Sequence, residues 1–292
     1  MEYRSGTWLK PVAIGLAVLF AVTRVAADEN EALVEKGRYL THAGGCVTCH
    51  TEDREDAVPL AGGRAIESPF GTFYSPNITP HPEDGIGDWS DRVFLRAFQS
   101  GVNPDGDAYY PAFPYTSYTG MSNEDLLAIK AYLQSLEPVA GKSPDHDLPI
   151  VMSSRMTAAA WKKRYFKPQR FKPNINEDDQ WNRGAYLVRH VGHCGECHTP
   201  RRALGALERD QELAGNPDGP DGEKIPNITP HEENGIGDWS VDDIDYFLDI
   251  GMLPDGDFTG GSMGPVIEDS TSHLTREDRL AIAVYLKSVP AQ

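Results

Sequence analysis

The chain has 292 residues, of which 44 are acidic and 27 basic, and its formal net charge at pH 7 is −17. A protein this acidic repels polyanions, so we expect no nucleic-acid partner. The length is sufficient for two ordinary domains, each able to bury a core.

The first 27 residues have the layout of a secretory signal peptide. Arg4 and Lys10 flank the start of an apolar run over residues 11–23, and small residues precede Asp28. The run is shorter than the roughly 20 residues that a membrane-spanning helix needs. We therefore predict export to the periplasm, with membrane contact only if residues 1–27 are retained.

One loop sequence occurs twice. Residues 76–90 read PNITPHPEDGIGDWS and residues 226–240 read PNITPHEENGIGDWS, which is identical at thirteen of fifteen positions. Such self-similarity indicates a duplication. We predict a first repeat over residues 28–137, a linker over 138–180 and a second repeat over 181–292.

Each repeat contains one C-x-x-C-H pentad, and the two pentads hold all four cysteines of the chain. This is the attachment signature of c-type haem. Two thiols at this spacing can each add to a vinyl group of one porphyrin, and the histidine that follows binds the iron. A four-cysteine zinc site or a pair of redox-active dithiols would not explain a histidine after both pairs. We predict two covalently bound haem c groups, one held by Cys46, Cys49 and His50 and the other by Cys194, Cys197 and His198.

Each repeat is predicted to have a helix before the pentad and another at its end. The first helix contains Gly37 or Gly184, which would let the second helix approach closely. The second helix begins at Ser122 or Thr275, with an acid three positions later as in a capping box. Its apolar residues recur with helical spacing. No alternating strand pattern is evident, so the fold class is all-α.

Several longer phrases resemble the cytochrome c subunits of periplasmic or membrane-bound alcohol, aldehyde and gluconate dehydrogenases. They are LAGGRAIESPFGTFYSPNITPHPEDGIGDWS (60–90), YYPAFPYTSYTGMSNEDLLAIKAYLQSLEPV (109–139), WNRGAYLVRHVGHCGECHTPRRALGALE (181–208) and the second copy of the loop. The resemblance implies two tandem class-I-like cytochrome c domains joined by a long, partly helical linker. It also implies an electron carrier rather than an enzyme, which takes electrons from a dehydrogenase and passes them to an oxidase or a soluble cytochrome.

The sixth iron ligands are expected to be methionines. The resemblance assigns this role to Met263, in a Gly/Pro-rich loop before the last helix, and to Met121 at the start of the helix that ends the first repeat. The rivals of Met121 are Met152, Met156 and His81. His/Met ligation raises the reduction potential relative to bis-histidine ligation.

Other residues are expected to contact the porphyrin edges. Arginine pairs well with a haem propionate, and the tryptophans and asparagines of the repeated loop either donate hydrogen bonds to propionates or fix the loop that does. The residues predicted for these roles are Arg64, Arg201, Asn77, Asn227, Trp89 and Trp239.

Three histidines near the pentads and a basic stretch in the linker have no assigned role in binding the iron. His42, His190 and His193 are interpreted as polar residues near a haem edge, not as ligands. The linker carries seven basic residues between Arg155 and Lys172, which form either a docking face for a partner or a counter-charge for the acidic repeats.

Two other functions compete with the dehydrogenase-linked relay. One is a stand-alone soluble electron shuttle, and the other is a haem enzyme such as a di-haem peroxidase, which needs an open distal site. A two-haem thiosulfate dehydrogenase with a cysteine ligand is disfavoured, because no cysteine lies outside the two pentads.

Overall fold

A computed structural model describes residues 28–219 and 222–292, so the predicted signal segment lies outside the described residues. The described chain is mostly helical, as predicted, and none of its helices is long and apolar enough to span a bilayer. The helices of the first repeat are α1 (28–43), α2 (Cys46–His50), α3 (Asp91–Ser100), α4 (Tyr115–Tyr118) and α5 (Asn123–Ser135).

The remaining helices belong to the linker and the second repeat. The linker contains α6 (Ile150–Ser153) and α7 (Arg155–Tyr165). The second repeat contains α8 (Asp179–Tyr186, which begins in the last residues of the linker), a π-helix (Leu187–Val191), α9 (Gly195–His198), a 3₁₀ turn (Arg209–Gln211), α10 (Val241–Ile250), α11 (Met263–Asp269), a 3₁₀ turn (Thr271–His273) and α12 (Arg276–Ser288). Two short strands that the sequence did not predict, β1 (Ala65–Ile66) and β2 (Phe73–Tyr74), pair antiparallel.

The predicted caps set where the last helix of each repeat begins. The side chain of Ser122 accepts a hydrogen bond from the backbone N–H of Asp125, and that of Thr275 accepts one from Asp278. Each bond satisfies an amide that has no partner inside its helix. The side chain of Asp125 does not return a bond to the cap, because it is used elsewhere, as described below.

A glycine lets the first helix of each repeat cross the last one at close range. A Cβ atom at Gly37 would lie 1.9 Å from the carbonyl oxygen of Ala128, and one at Gly184 would lie 1.9 Å from that of Ala281. No side chain fits at such a distance. The predicted close approach of α1 to α5 and of α8 to α12 is therefore confirmed.

The π-helix accommodates one extra residue in the second repeat. Ten residues run from Gly37 to Cys46, whereas eleven run from Gly184 to Cys194. A π turn holds one more residue than an α turn, and such bulges often lie at functional sites. The extra residue is absorbed over Leu187–Val191, between α8 and the second pentad.

The two repeats pack against each other through a reciprocal pair of contacts. The hydroxyl of Tyr39 in the first repeat donates to Asp278 of the second at 2.5 Å, and the hydroxyl of Tyr186 donates back to Asp125 at 2.6 Å. Each carboxylate also pairs with a cation of its own repeat, Lys36 or Arg183. One continuous cluster of buried apolar residues includes members of both repeats.

The linker covers the first repeat and reaches the second. Ala158 of α7 is buried against Phe73, Ala108 and Tyr110, while the indole N–H of Trp161 donates to the carbonyl of Leu204 at 2.7 Å. The linker therefore contacts both repeats along one helix. The division of the chain into two domains at residues 137 and 181 stays a prediction.

Candidate haem-binding sites

The histidine of each pentad is oriented by the repeated loop. Nδ1 of His50 lies 2.7 Å from the carbonyl oxygen of Pro76, and Nδ1 of His198 lies 2.9 Å from that of Pro226. A carbonyl can only accept, so Nδ1 carries the proton and Nε2 keeps its lone pair. This is the tautomer that an iron ligand needs.

Desolvation also favours the metal-binding form of the two pentad histidines. It lowers the pKa of His50 and of His198 below the ordinary value, against the smaller opposing effect of each hydrogen bond to proline. Both imidazoles are therefore neutral at pH 7, which is the form that binds a metal. The near-identity of the two loops thus has a concrete use, because each supplies the carbonyl that fixes one proximal histidine.

The asparagines hold this loop in shape. The side-chain oxygen of Asn77 accepts from both the N–H and the hydroxyl of Thr79, and its amide donates to the carbonyls of Val139 and Gly141. Asn227 repeats the pattern, accepting from Thr229 and donating to the carbonyl of Gln292. Of the two roles predicted for the asparagines, the geometry favours fixing the loop, since the polar atoms of Asn77 are occupied by these contacts.

The four thiols differ in exposure: Cys46 is buried, Cys194 and Cys197 are half-buried and Cys49 is exposed. Burial raises the pKa of the Cys46 and Cys194 thiols to about 12 each, and that of Cys197 to about 11. A redox-active dithiol requires a lowered thiol pKa. The electrostatics therefore disfavour the dithiol alternative and suit cysteines that are structural attachment points.

The turns that precede the two pentads contact each other. The carbonyl of Gly44, two residues before Cys46, accepts from the hydroxyl of Tyr118 at 2.8 Å and lies 3.3 Å from Nε2 of His193. His193 directly precedes Cys194, and its ring meets that of Tyr118 edge-on at 5.2 Å. The structure thus brings the two haem signatures together at the contact between the repeats.

The other two histidines bridge the repeats as well. Nδ1 of His42 lies 2.9 Å from the carbonyl of Asp269 at the end of α11, and Nδ1 of His190 lies 2.9 Å from the carbonyl of Ser117 in α4. Each histidine therefore ties the helix before one pentad to the segment that holds the methionine of the other repeat. Only the tertiary structure shows this bridging role, and the position of these histidines near a haem edge stays a prediction.

Met121 is enclosed and held from outside its own repeat. Its side chain is fully buried, and the guanidinium of Arg170 in the linker donates to the carbonyls of Met121 and Thr119 at 2.7 and 3.0 Å. Two of its three rivals are less suitable as ligands, while Met152 in α6 is half-buried and stays a rival. Met156 is 79% exposed on α7, and Nδ1 of His81 accepts from the backbone of Asp84 within its own loop.

Met263 lies in a different kind of segment. It is the first residue of α11 and is half-buried. The position that directly precedes the helix cap, occupied by Met121 in the first repeat, holds the buried Leu274 in the second. The two candidate methionines are therefore not structural equivalents, in agreement with their different spacing in the sequence.

Two tryptophans and two arginines are the remaining residues predicted to contact a porphyrin edge. Trp89 and Trp239 are half-buried against the core. Burial raises the pKa of Cys49 and the charge of Arg64 opposes that rise, so Arg64 acts electrostatically on the first pentad. Arg201 pairs at 2.9 Å with Glu196, inside the second pentad. Contacts of these four residues with a propionate stay predictions.

Glu196 is a site residue that the sequence analysis missed. Its carboxylate accepts at 2.7 Å from the hydroxyls of both Thr116 and Ser117 in the first repeat. Burial acts to raise the pKa of Glu196, but Arg201 and the two hydroxyls outweigh it and hold the pKa below its ordinary value. Glu196 occupies a variable position of the pentad, so the motif itself gives no signal of this role.

The residues present fit a covalently attached haem. Each pentad presents two thiols and one neutral imidazole whose Nε2 has no hydrogen-bond partner among the described residues, and each repeat supplies one candidate methionine. A bound haem would supply a one-electron iron couple, and Nε2 of His50 or His198 would bind its iron. The chain itself contributes the orientation of the ligands, the exclusion of water and the contact between the two sites.

Comparisons with known proteins agree with this chemistry. The family model described as cytochrome c matches residues 34–137. A dihaem c-type cytochrome of Cereibacter sphaeroides is 39% identical over 98% of this chain and 94% of its own length. The cytochrome c subunit of gluconate 2-dehydrogenase from Pantoea cypripedii is 40% identical over 96% of this chain, and that of the quinone alcohol dehydrogenase from Gluconobacter oxydans is 38% identical over 99%.

The relatives differ in length. The chain spans 65% of the gluconate dehydrogenase subunit and 61% of the alcohol dehydrogenase subunit, but nearly all of the Cereibacter protein. With this identity over almost its whole length, and with the thiols and histidines arranged as described, the chain belongs to the cytochrome c family, in the group that contains dihaem cytochromes and the cytochrome subunits of dehydrogenases.

Proposed function

We propose that the protein carries two haem c groups in the periplasm and relays single electrons between them. Its donor is a dehydrogenase and its acceptor is a terminal oxidase or a soluble cytochrome. The dehydrogenase is supported by the names of the relatives, which are cytochrome subunits of gluconate, fructose and alcohol dehydrogenases.

The contact between the two haem signatures carries the proposal. Gly44 and His193, which lie just before the two attachment sites, touch at 3.3 Å. Two haems attached at neighbouring turns of one buried interface are suited to exchange electrons with each other. Independent carriers would gain nothing from such a contact.

Single-haem variants test the relay. Replacing Cys46 and Cys49 by alanine, or Cys194 and Cys197 by alanine, should leave one haem per chain, which a pyridine haemochrome assay counts. If electrons pass through both haems, either variant loses dehydrogenase-driven reduction of a soluble acceptor. If the haems act independently, each variant keeps its own share of the activity, and the relay is wrong.

Co-purification separates a subunit from a stand-alone shuttle. A dehydrogenase that stays bound to the protein through gel filtration supports the subunit role, whereas a protein that elutes alone at all concentrations supports the shuttle. The full burial of Met121 disfavours a peroxidase at the first site, since peroxide chemistry needs an open distal face. Loss of the methionine-to-iron absorption band at neutral pH would contradict that conclusion.

A further inference from the structure

The second repeat has an exposed apolar face beside its candidate methionine segment. Tyr246, Ile250 and Phe258 are 52%, 51% and 60% exposed. Tyr246 and Ile250 lie one turn apart on α10, and a bridge between Met252 and Phe258 returns the chain to the end of that helix. Grouped exposed apolar residues of this kind mark interaction surfaces more often than isolated ones do.

The same surface exists in the first repeat. Helix α3 has the same length as α10, and both end at a glycine with left-handed backbone, Gly101 or Gly251. In both repeats this glycine is followed by an equivalent bridge and accepts a hydrogen bond from the residue eight positions later. The residues at the positions of Tyr246, Ile250 and Phe258 are Arg96, Ser100 and Ala108.

In the first repeat this surface is covered by a basic helix. Ala158 of α7 is buried against Ala108, the ammonium group of Lys162 donates to the carbonyl of Gly101 at 3.3 Å, and the guanidinium of Arg155 lies 4.8 Å from the ring of Tyr110. Within the described chain no helix covers the equivalent surface of the second repeat, and Phe258 is exposed where Ala108 is buried.

Charge selects the kind of occupant. The exposed Asp255 and Asp257 flank the tip of the loop before Phe258, and neither forms an ion pair within the described residues. A cationic segment would gain by neutralising them, whereas an anionic lipid surface would be repelled. The carbonyl of Gly251 accepts from Thr259 at 2.9 Å, as that of Gly101 accepts from Tyr109, so it can take a second bond of the kind that Lys162 makes.

We propose that the face formed by Tyr246, Ile250 and Phe258 docks a short, basic, amphipathic helix of a partner protein, in the way that α7 docks on the first repeat. The helix would place apolar residues on Ile250 and Phe258 and a lysine or arginine near Gly251. Gly251 packs near Ile267 of α11, so the partner would bind next to the segment that begins with Met263. The proposal depends on the duplication and the surface, and not on the proposed direction of electron flow.

Site-specific photo-cross-linking in cells tests the proposal. A photoreactive benzoylphenylalanine replaces Ile250 in the full-length protein, and the same residue replaces Ile175, which is 95% exposed on the linker, as a control. The cross-linked peptide is identified by mass spectrometry. A discrete product at Ile250, absent at Ile175, that maps to a basic helical segment of another protein is the expected result.

A second variant measures the contribution of the face. Adding Phe258→Asp to the Ile250 reporter should lower the yield about tenfold, as expected for the loss of an aromatic anchor. Asp255→Lys should lower it as well, and it does not alter the apolar residues. A product no stronger than at Ile175, or cross-links to lipid, to a second copy of this chain or to an acidic segment, would overturn the proposal. So would a yield that neither substitution changes.

Discussion

The reciprocal tyrosine contacts between the repeats allow one perturbation to be made twice. Tyr186→Phe removes a hydroxyl that donates to Asp125 at 2.6 Å and accepts from the backbone N–H of Ser122 at 3.1 Å. Tyr39→Phe removes the equivalent hydroxyl, which donates to Asp278 at 2.5 Å and accepts from Thr275 at the longer distance of 3.3 Å. Both substitutions keep the aromatic ring and therefore most of the packing.

The two substitutions should differ in magnitude. A hydrogen bond to a charged group contributes about 1.5–3 kcal/mol to the free energy of unfolding. The backbone N–H of Ser122 or Thr275 also loses its acceptor, which adds to the loss of stability. After Tyr39→Phe the carboxylate of Asp278 keeps both bonds from Arg183, at 2.8 and 2.6 Å. After Tyr186→Phe, Asp125 keeps the single ammonium group of Lys36 at 2.8 Å. We expect a loss of about 2 kcal/mol for Tyr186→Phe and about 1 kcal/mol for Tyr39→Phe.

Thermal unfolding of the haem-loaded protein, followed by far-ultraviolet circular dichroism, measures the difference. For a chain of this size 1 kcal/mol corresponds to a Tm shift of about 2–4 °C. Tyr246→Phe is the matched control, since Tyr246 is 52% exposed and its change should leave Tm in place. If Tyr186→Phe shifts Tm no more than Tyr246→Phe does, the tyrosine–aspartate pairs do not hold the repeats together and the reasoning is refuted.

Three further predictions concern the crossing helices, the linker and acid stability. Gly184→Ala should destabilise by about 1–3 kcal/mol in thermal unfolding, opposite in sign to the usual gain in a helix, because its Cβ would lie 1.9 Å from the carbonyl of Ala281. Arg170→Met should lower the free energy of unfolding by about 1–2 kcal/mol, because it leaves the carbonyl of Met121 without this hydrogen bond. The urea concentration at which half of the methionine-to-iron absorption band is lost should fall accordingly. Burial acts to raise the pKa of Asp125, but Lys36 and Tyr186 hold it below its ordinary value. The ionised carboxylate of Asp125 therefore stabilises the fold above about pH 3.9, and this stabilisation is lost as the pH falls through the pKa of Asp125 in the folded protein. The Tm difference between wild type and Asp125→Asn should therefore become smaller in acid.

Each of these has a control in the same molecule. Gly264 is helical, and no other atom lies within 4 Å of the position that its Cβ would take, so Gly264→Ala should not destabilise. Lys172 is an exposed cation two residues after Arg170, and Lys172→Met should leave the band midpoint unchanged. The first explanation is contradicted if Gly184→Ala and Gly264→Ala have equal effects on stability. The second is contradicted if Arg170→Met and Lys172→Met have equal effects on the band midpoint. The third is contradicted if the Tm difference between wild type and Asp125→Asn does not change with pH.

The sequence by itself determined the features that depend on local spacing. The C-x-x-C-H pentads predict the attachment atoms, because two thiols and an imidazole must meet one porphyrin at fixed separations. The serine or threonine followed by an aspartate predicts where α5 and α12 begin, because a cap satisfies amides within three residues. Gly37 and Gly184 predict a close helix crossing, because only the absence of a Cβ atom permits it.

Only the tertiary structure decided which distant groups meet. Nothing local in Arg170 indicates that it donates to the carbonyl of Met121, and nothing in the pentad indicates that Glu196 accepts from Thr116 and Ser117. The repeated loop shows the same limit. Its duplication predicted that each copy touches its own haem, which stays a prediction. That the carbonyl of Pro76 lies against the imidazole of His50 depends on how the loop folds back over 26 residues. Spacing along the chain fixes neighbours within a few turns, whereas hydrogen bonds across the chain depend on the packing of the core as a whole.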